Sequence, residues 1–260
     1  MKRYVIYCLL LTPFLTKCCL GNDSYQDDGP ATTQLVNRGG CELLTVEQAD
    51  SMGILHNYYL SELISSLTCE NISRLDDINQ ARTTVIANED FDAELVDDLF
   101  DMVRDTNFDL TDFSYLFEDF NSVQAFLDAI SDVIVDGEDM EEISDSLTVF
   151  RTRALSNLEC LDLSYILTSI SVASNSSHFW LPVEDGGLGR NPCNMSSQNP
   201  CSRGVIQDDV TSAGISLVGW LFFGTGPEIP LAELAFNGAA GSFLARGLPP
   251  CYSGSGGGSW

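Results

Sequence analysis

A chain of 260 residues, 44% of them hydrophobic, is long enough to bury a real core in one larger domain or two small ones. Its formal net charge is −26, from 38 acidic against 12 basic residues. That balance excludes a disordered acidic tail on hydrophobicity, and nucleic-acid binding on the want of a basic stripe.

The first 21 residues read as a signal peptide. Lys2 and Arg3 form the positive start, Tyr4 to Leu15 a short apolar run interrupted by Pro13, and Cys18, Cys19 and Gly21 the small-residue end. The run is too short to span a membrane. Two outcomes stay open: cleavage after Gly21, or lipid attachment at Cys18 or Cys19, although Lys17 spoils a clean lipobox for either. Both place the protein outside the cytoplasm, as a secreted, outer-surface or periplasmic protein with or without a lipid anchor. Residues 22–44 are polar and suit a tether.

Beyond that segment lie Cys41, Cys69, Cys160, Cys193, Cys201 and Cys251. An even six in an oxidising compartment predicts three disulfides, and only Cys193 with Cys201 is suggested by proximity. A zinc site would need ligand pairs that are missing, since there is no Cys-x-x-Cys and the histidines are His56 and His178. No metal or cofactor is assigned.

Residues 45–173 carry the pattern of an acidic helical bundle. Thr45-Val46-Glu47-Gln48 has the form of a capping box, followed by Ala49, Met52, Leu55, Tyr59, Leu60, Leu63 and Leu67 at helical spacing. Ser73 to Asp76 starts a second helix. Shorter helical pieces follow through Phe91 to Val103, Phe113 to Phe120 and, capped by Ser122, Val123 to Ile134. Asp136-Gly137 breaks the run, and another helical pattern extends from about Asp139 to Ala173, bent near Cys160. The intervening carboxylates read as a solvated face.

Residues 174–206 form a loop or strap holding Phe179, Trp180 and the two-cysteine segment. Residues 207–250 read as a small-residue helical hairpin, with Asp208 and Asp209 at its start, where the helix dipole favours negative charge. Its first apolar stretch, Val210 to Gly226, is roughly 25 Å long as a helix, short of the ~30 Å hydrocarbon core. Ser212, Ser216 and Gly219 share one face, and Ala232, Ala235, Ala239 and Ser242 another, which lets two backbones approach closely. Residues 251–260 are a polar tail. The fold class expected is all-α: a disulfide-stabilised helical bundle with a long loop and a C-terminal helical hairpin.

Three motifs in order, Gly53-Ile54-Leu55-His56-Asn57-Tyr58-Tyr59-Leu60, Ser177-His178-Phe179-Trp180-Leu181-Pro182 with Gly186-Gly187, and the final Asp209 to Gly241 segment, resemble those of an uncharacterised exported or lipoprotein-like family of Bacteroidota. The resemblance implies export, an N-terminal helical domain and a Gly/Ala-rich C-terminal segment. It carries no known activity. The cysteines and the aromatic and polar residues of the last segment depart from the family's pattern.

Catalysis needs a nucleophile and a base. His56 on its helix reads as a hydrogen-bonded structural histidine, the cysteines are accounted for by export and pairing, and no hydrolase elbow or phosphate loop occurs. No catalytic residue is therefore assigned. The reading is a non-enzymatic binding module acting on an unknown surface or envelope protein, with Trp180, Trp220, Phe222 and Phe223 as contacts if exposed. The alternative is a membrane-active protein inserting the 207–246 hairpin, membrane contact otherwise coming from a lipid anchor, and a hydrolase stands third.

Overall fold

Thr45 and Gln48 do close a reciprocal box: the Thr45 amide donates to Gln48 Oε1 at 2.9 Å and the Gln48 amide to Thr45 Oγ1 at 3.2 Å. They open helix α1, Val46–Ser66. The computed structural model describes residues 43–66, 74–89, 91–104, 108–190, 202–224 and 229–245, and every regular element among them is helical. After α1 come α2 (Arg74–Asn88), α3 (Ala93–Arg104), a 3-10 helix (Leu110–Leu116), α4 (Phe120–Asp136), α5 (Met140–Asn157) and α6 (Cys160–Trp180). A 3-10 turn (Val183–Asp185), α7 (Ser202–Phe223) and α8 (Leu231–Ala245) complete the order.

Burial patterns explain which helix goes where. On α3, Val96, Leu99, Phe100 and Val103 are buried while Glu94, Asp97, Asp98 and Asp101 face water, so it can only lie on the outside of a core. Helices α4 and α5 are one-sided in the same way, with Val123, Phe126, Leu127, Ile130 and Ile134 inward on one and Ile143, Leu147 and Ala154 on the other. By contrast α7 is buried on every face from Ser212 to Leu221, and α6 over most of its length. These two helices are central.

Helix α1 packs on α6 and α8, and α7 packs on the same two, which makes a closed ring of four around one core. Helix α3 covers α7 and α8, α4 and α5 cover α6, and α2 lies along α1. Met52, Leu60 and Leu63 of α1 fill the ring at no more than 2% exposure, each contributing about 1.5–3 kcal/mol relative to an exposed position.

The small residues of α7 and α8 do bring the two backbones together, through Ser212 of the expected stripe and also through Ala213, Gly238 and Gly241, which lie outside it. A side chain at Gly238 would strike the Ala213 backbone, and one at Gly241 would strike Ser212 and Val103. Gly219 instead admits Leu99 and Met102 of α3.

Several boundaries differ from the sequence pattern. Helix α6 runs on through Trp180, and α7 begins at Ser202, so the loop between them is shorter than residues 174–206. The bend near Cys160 is a full break at Leu158 and Glu159, after which Cys160 takes a left-handed φ of 53°. Asp119, three residues before Ser122, caps α4 by accepting from the Ser122 amide. Phe113 to Leu116 lie in a 3-10 helix. Ser73 lies outside the described residues.

Candidate functional site

The three sequence motifs meet at the centre of the ring. Gly53 is the close-approach point of α1, since a Cβ there would collide with Ser171 and Asn175 of α6. One turn on, the Asn57 amide donates to the Asn175 carbonyl at 2.7 Å, and the Ser171 hydroxyl donates to the Asp50 carbonyl at 3.2 Å. Between these clamps His56 points inward, with Nε2 3.8 Å from Asp209 Oδ1 on α7. The Trp180 indole, from the end of α6, donates to Asp209 Oδ2 at 2.8 Å. Asp209 thus lies well inside α7, bonded across the core to Trp180, and does not sit at a helix start.

Both His56 and Asp209 have 0% side-chain exposure. Burial lowers the imidazole pKa below its usual 6.5, and it outweighs the upward pull of the Asp209 carboxylate, the Asn57 side chain and the Gly238 backbone. The ring is therefore neutral at neutral pH. Neither of its nitrogens makes a hydrogen bond of good geometry among the described residues. Asn237 of α8 and Ser176, Ser177 and Thr168 of α6 are also fully buried. The result is a polar centre in an apolar ring, sealed from water, where a His–Asp pair meets no solvent-borne substrate.

The strap after α6 is held by backbone bonds. Leu188, Gly189 and Arg190 donate to the carbonyls of His178, Leu181 and Phe179 at 2.7, 2.8 and 3.1 Å. Gly186 turns the chain with φ 85°, and Gly187 lies against Leu181, where a side chain would not fit. The Gly-Gly pair of the second motif is thus needed by the turn.

Of the proposed contact residues, Trp180 and Trp220 are buried, at 8% and 3% exposure, because both rings fill the core. Phe222 and Phe223, at the end of α7, are exposed at 38% and 42%. Two rings missed in the sequence join Phe222. Phe113 packs edge-on against Phe222 with centroids 5.5 Å apart, and Phe108 stacks on Phe113 at 5.1 Å and 14°. Asp109 and Asp112 stand exposed in the same short segment, and Asp109 caps the 3-10 helix through the Thr111 amide at 2.8 Å. Helical spacing had assigned Phe113 to the core; the signal for a different role was Phe108, which fits no apolar stripe.

Of the six cysteines expected to pair, Cys160 opens α6 with its Sγ 3.0 Å from Glu118 Oε1, and Cys41, Cys69, Cys193, Cys201 and Cys251 lie outside the described residues. Glu118, Glu159 and Cys160 bring three donor atoms within 4.8 Å of one another, at exposed and half-buried positions where such groups are common without an ion. No helix among the described residues is long and apolar enough to cross a membrane. Asn175, in an N-glycosylation sequon, donates from its own side-chain amide to the Ser171 carbonyl at 2.9 Å, in a partly buried position. The chain matches no family model, no curated protein and no solved structure.

Proposed function

We propose that this is an exported, non-enzymatic binding module that engages another surface component through the aromatic corner of Phe108, Phe113, Phe222 and Phe223. The observation that carries the reading is the exposure of Phe222, which packs on Phe113, and of its chain neighbour Phe223, while the only His–Asp pair among the described residues is sealed. Export, with simple secretion or lipid attachment at Cys18 or Cys19, rests on the sequence of residues 1–21. A framework of three disulfides and kinship with the Bacteroidota family belong to the same reading.

Insertion of the 207–246 hairpin into lipid has less support, because Ser212 to Leu221 and Leu234 to Gly241 are buried in the body. A hydrolase has less still, since His56 shows no surface to a substrate.

The test is site-specific photo-crosslinking on intact producing cells. A benzophenone side chain at position 223 is expected to yield a discrete adduct, and the same group at position 149, where Val149 is 57% exposed on α5, is expected to yield none. Equal labelling from both positions, or none from 223, removes the reading.

A further inference from the structure

We propose that the aromatic corner takes an arginine-rich polypeptide segment, whose guanidinium groups lie on the phenylalanine rings while flanking carboxylates neutralise their charge. This rests on the corner being the binding face.

Charge narrows the partner first. Residues 108–150 hold twelve Asp and Glu and no Lys, Arg or His, and all twelve acids are exposed. Asp109 and Asp112 lie within the corner itself, and Glu118 and Asp119 follow directly. A second copy of a chain with net charge −26 would bring the same sign to this surface, as would an anionic lipid face. A cationic partner is drawn to it, and the encounter is faster for it.

The rings then choose among cations. A planar guanidinium stacks on an aromatic face and binds carboxylates with two parallel bonds, whereas an ammonium is a strongly hydrated point charge. The protein uses this combination internally: the Arg82 guanidinium lies 4.0 Å over the centroid of Phe100 and pairs with the exposed Asp97. Phe222, packed on Phe113 in the segment that carries the exposed Asp109 and Asp112, offers the same two kinds of partner, with Phe223 exposed next to it in the chain.

The experiment is titration of the purified full chain with a labelled Arg-Gly repeat peptide, read by fluorescence anisotropy. A Lys-Gly peptide of equal charge and a citrulline-Gly peptide of nearly equal shape are the comparisons. The Arg peptide is expected to bind, and the citrulline peptide to bind at least about tenfold more weakly. The Lys peptide should fall between them. The Phe222→Ala/Phe223→Ala double variant and the Asp109→Asn/Asp112→Asn double variant should each lose about tenfold, the latter keeping a capping side chain at 109. The control Glu141→Gln/Asp145→Asn on α5 should stay within about twofold.

Failure of the Arg peptide to bind overturns the proposal, as does equal loss in the α5 control and the corner variants, which would mark unspecific attraction to a polyanion. Unchanged binding on removal of both phenylalanines also overturns it. A position-223 adduct together with no affinity for the Arg peptide rejects the arginine-rich partner alone and leaves the corner as a binding face. Far-UV circular dichroism of each variant separates lost binding from lost fold.

Discussion

At the residue scale, His56 is a fully buried titratable side chain. Its folded pKa lies below the unfolded 6.5, so between those two values the unfolded chain binds more protons than the folded one. Stability is then complete above 6.5 and falls as pH drops towards the folded value, at up to about 1.4 kcal/mol per pH unit for one proton. Thermal unfolding of the protein and of His56→Gln between pH 7.5 and 5 should show the difference, the wild type losing more stability on acidification than the variant. Asp209 makes a second test. Asp209→Ala removes the acceptor at 2.8 Å from the buried Trp180 indole and is expected to cost about 1–3 kcal/mol, while Asp209→Asn keeps an acceptor and should cost less. Urea unfolding of both variants decides it.

Among elements, the contact most exposed to a single change is the join between α6 and the start of α4. Asp162, 2% exposed, accepts from the amides of Glu118 and Asp119 at 3.0 and 2.8 Å. Asp162→Ala leaves two backbone donors without this acceptor and should destabilise by about 2–4 kcal/mol, with hydrogen exchange at residues 118–119 accelerated most. On α1, Gly53→Ala forces a methyl into Ser171 and Asn175 and should cost about 1–3 kcal/mol in the same unfolding assay. The start of α1 and the inward stripes of α3 and α4 were legible because caps and periodicity are local. The end of α6 was not, since the polar run Ser174 to Ser177 reads as loop until the Asn175 side-chain amide is seen returning to the Ser171 carbonyl a turn earlier. The site followed the same division. The motifs around His56, Trp180 and Asp209 were visible one by one, but Asp209 read as a dipole partner because its indole donor lies 29 residues away on another helix. Spacing likewise cannot tell a covered ring from an open one, which is why Trp220 and Phe222, two residues apart, have opposite fates.

For the whole molecule, electrostatics works against the fold. A chain with a net charge of −26 repels itself, and described ion pairs such as Arg151 with Asp50, bidentate at 2.6 and 2.7 Å, offset little because they are only partly buried. Screening should relieve the repulsion, so raising sodium chloride from about 10 to 150 mM, where the Debye length falls from ~30 to ~8 Å, is expected to raise the melting temperature at pH 7.5. A flat or falling midpoint would mean that local pairs outweigh the global field.

The closed ring also dictates the order in which the chain can mature. Helix α1 rests on α6 and on α8, whose partners to it lie more than a hundred residues downstream, as the Leu44 amide on Ser164 already shows at a separation of 120. Local helices such as α4 and α5 can meet their neighbours early, whereas the first helix has to wait for the last. Contacts of such long range slow folding and leave an apolar face bare in the interval. A chain emerging N-terminus first would therefore carry its first helix unsatisfied until synthesis is nearly complete.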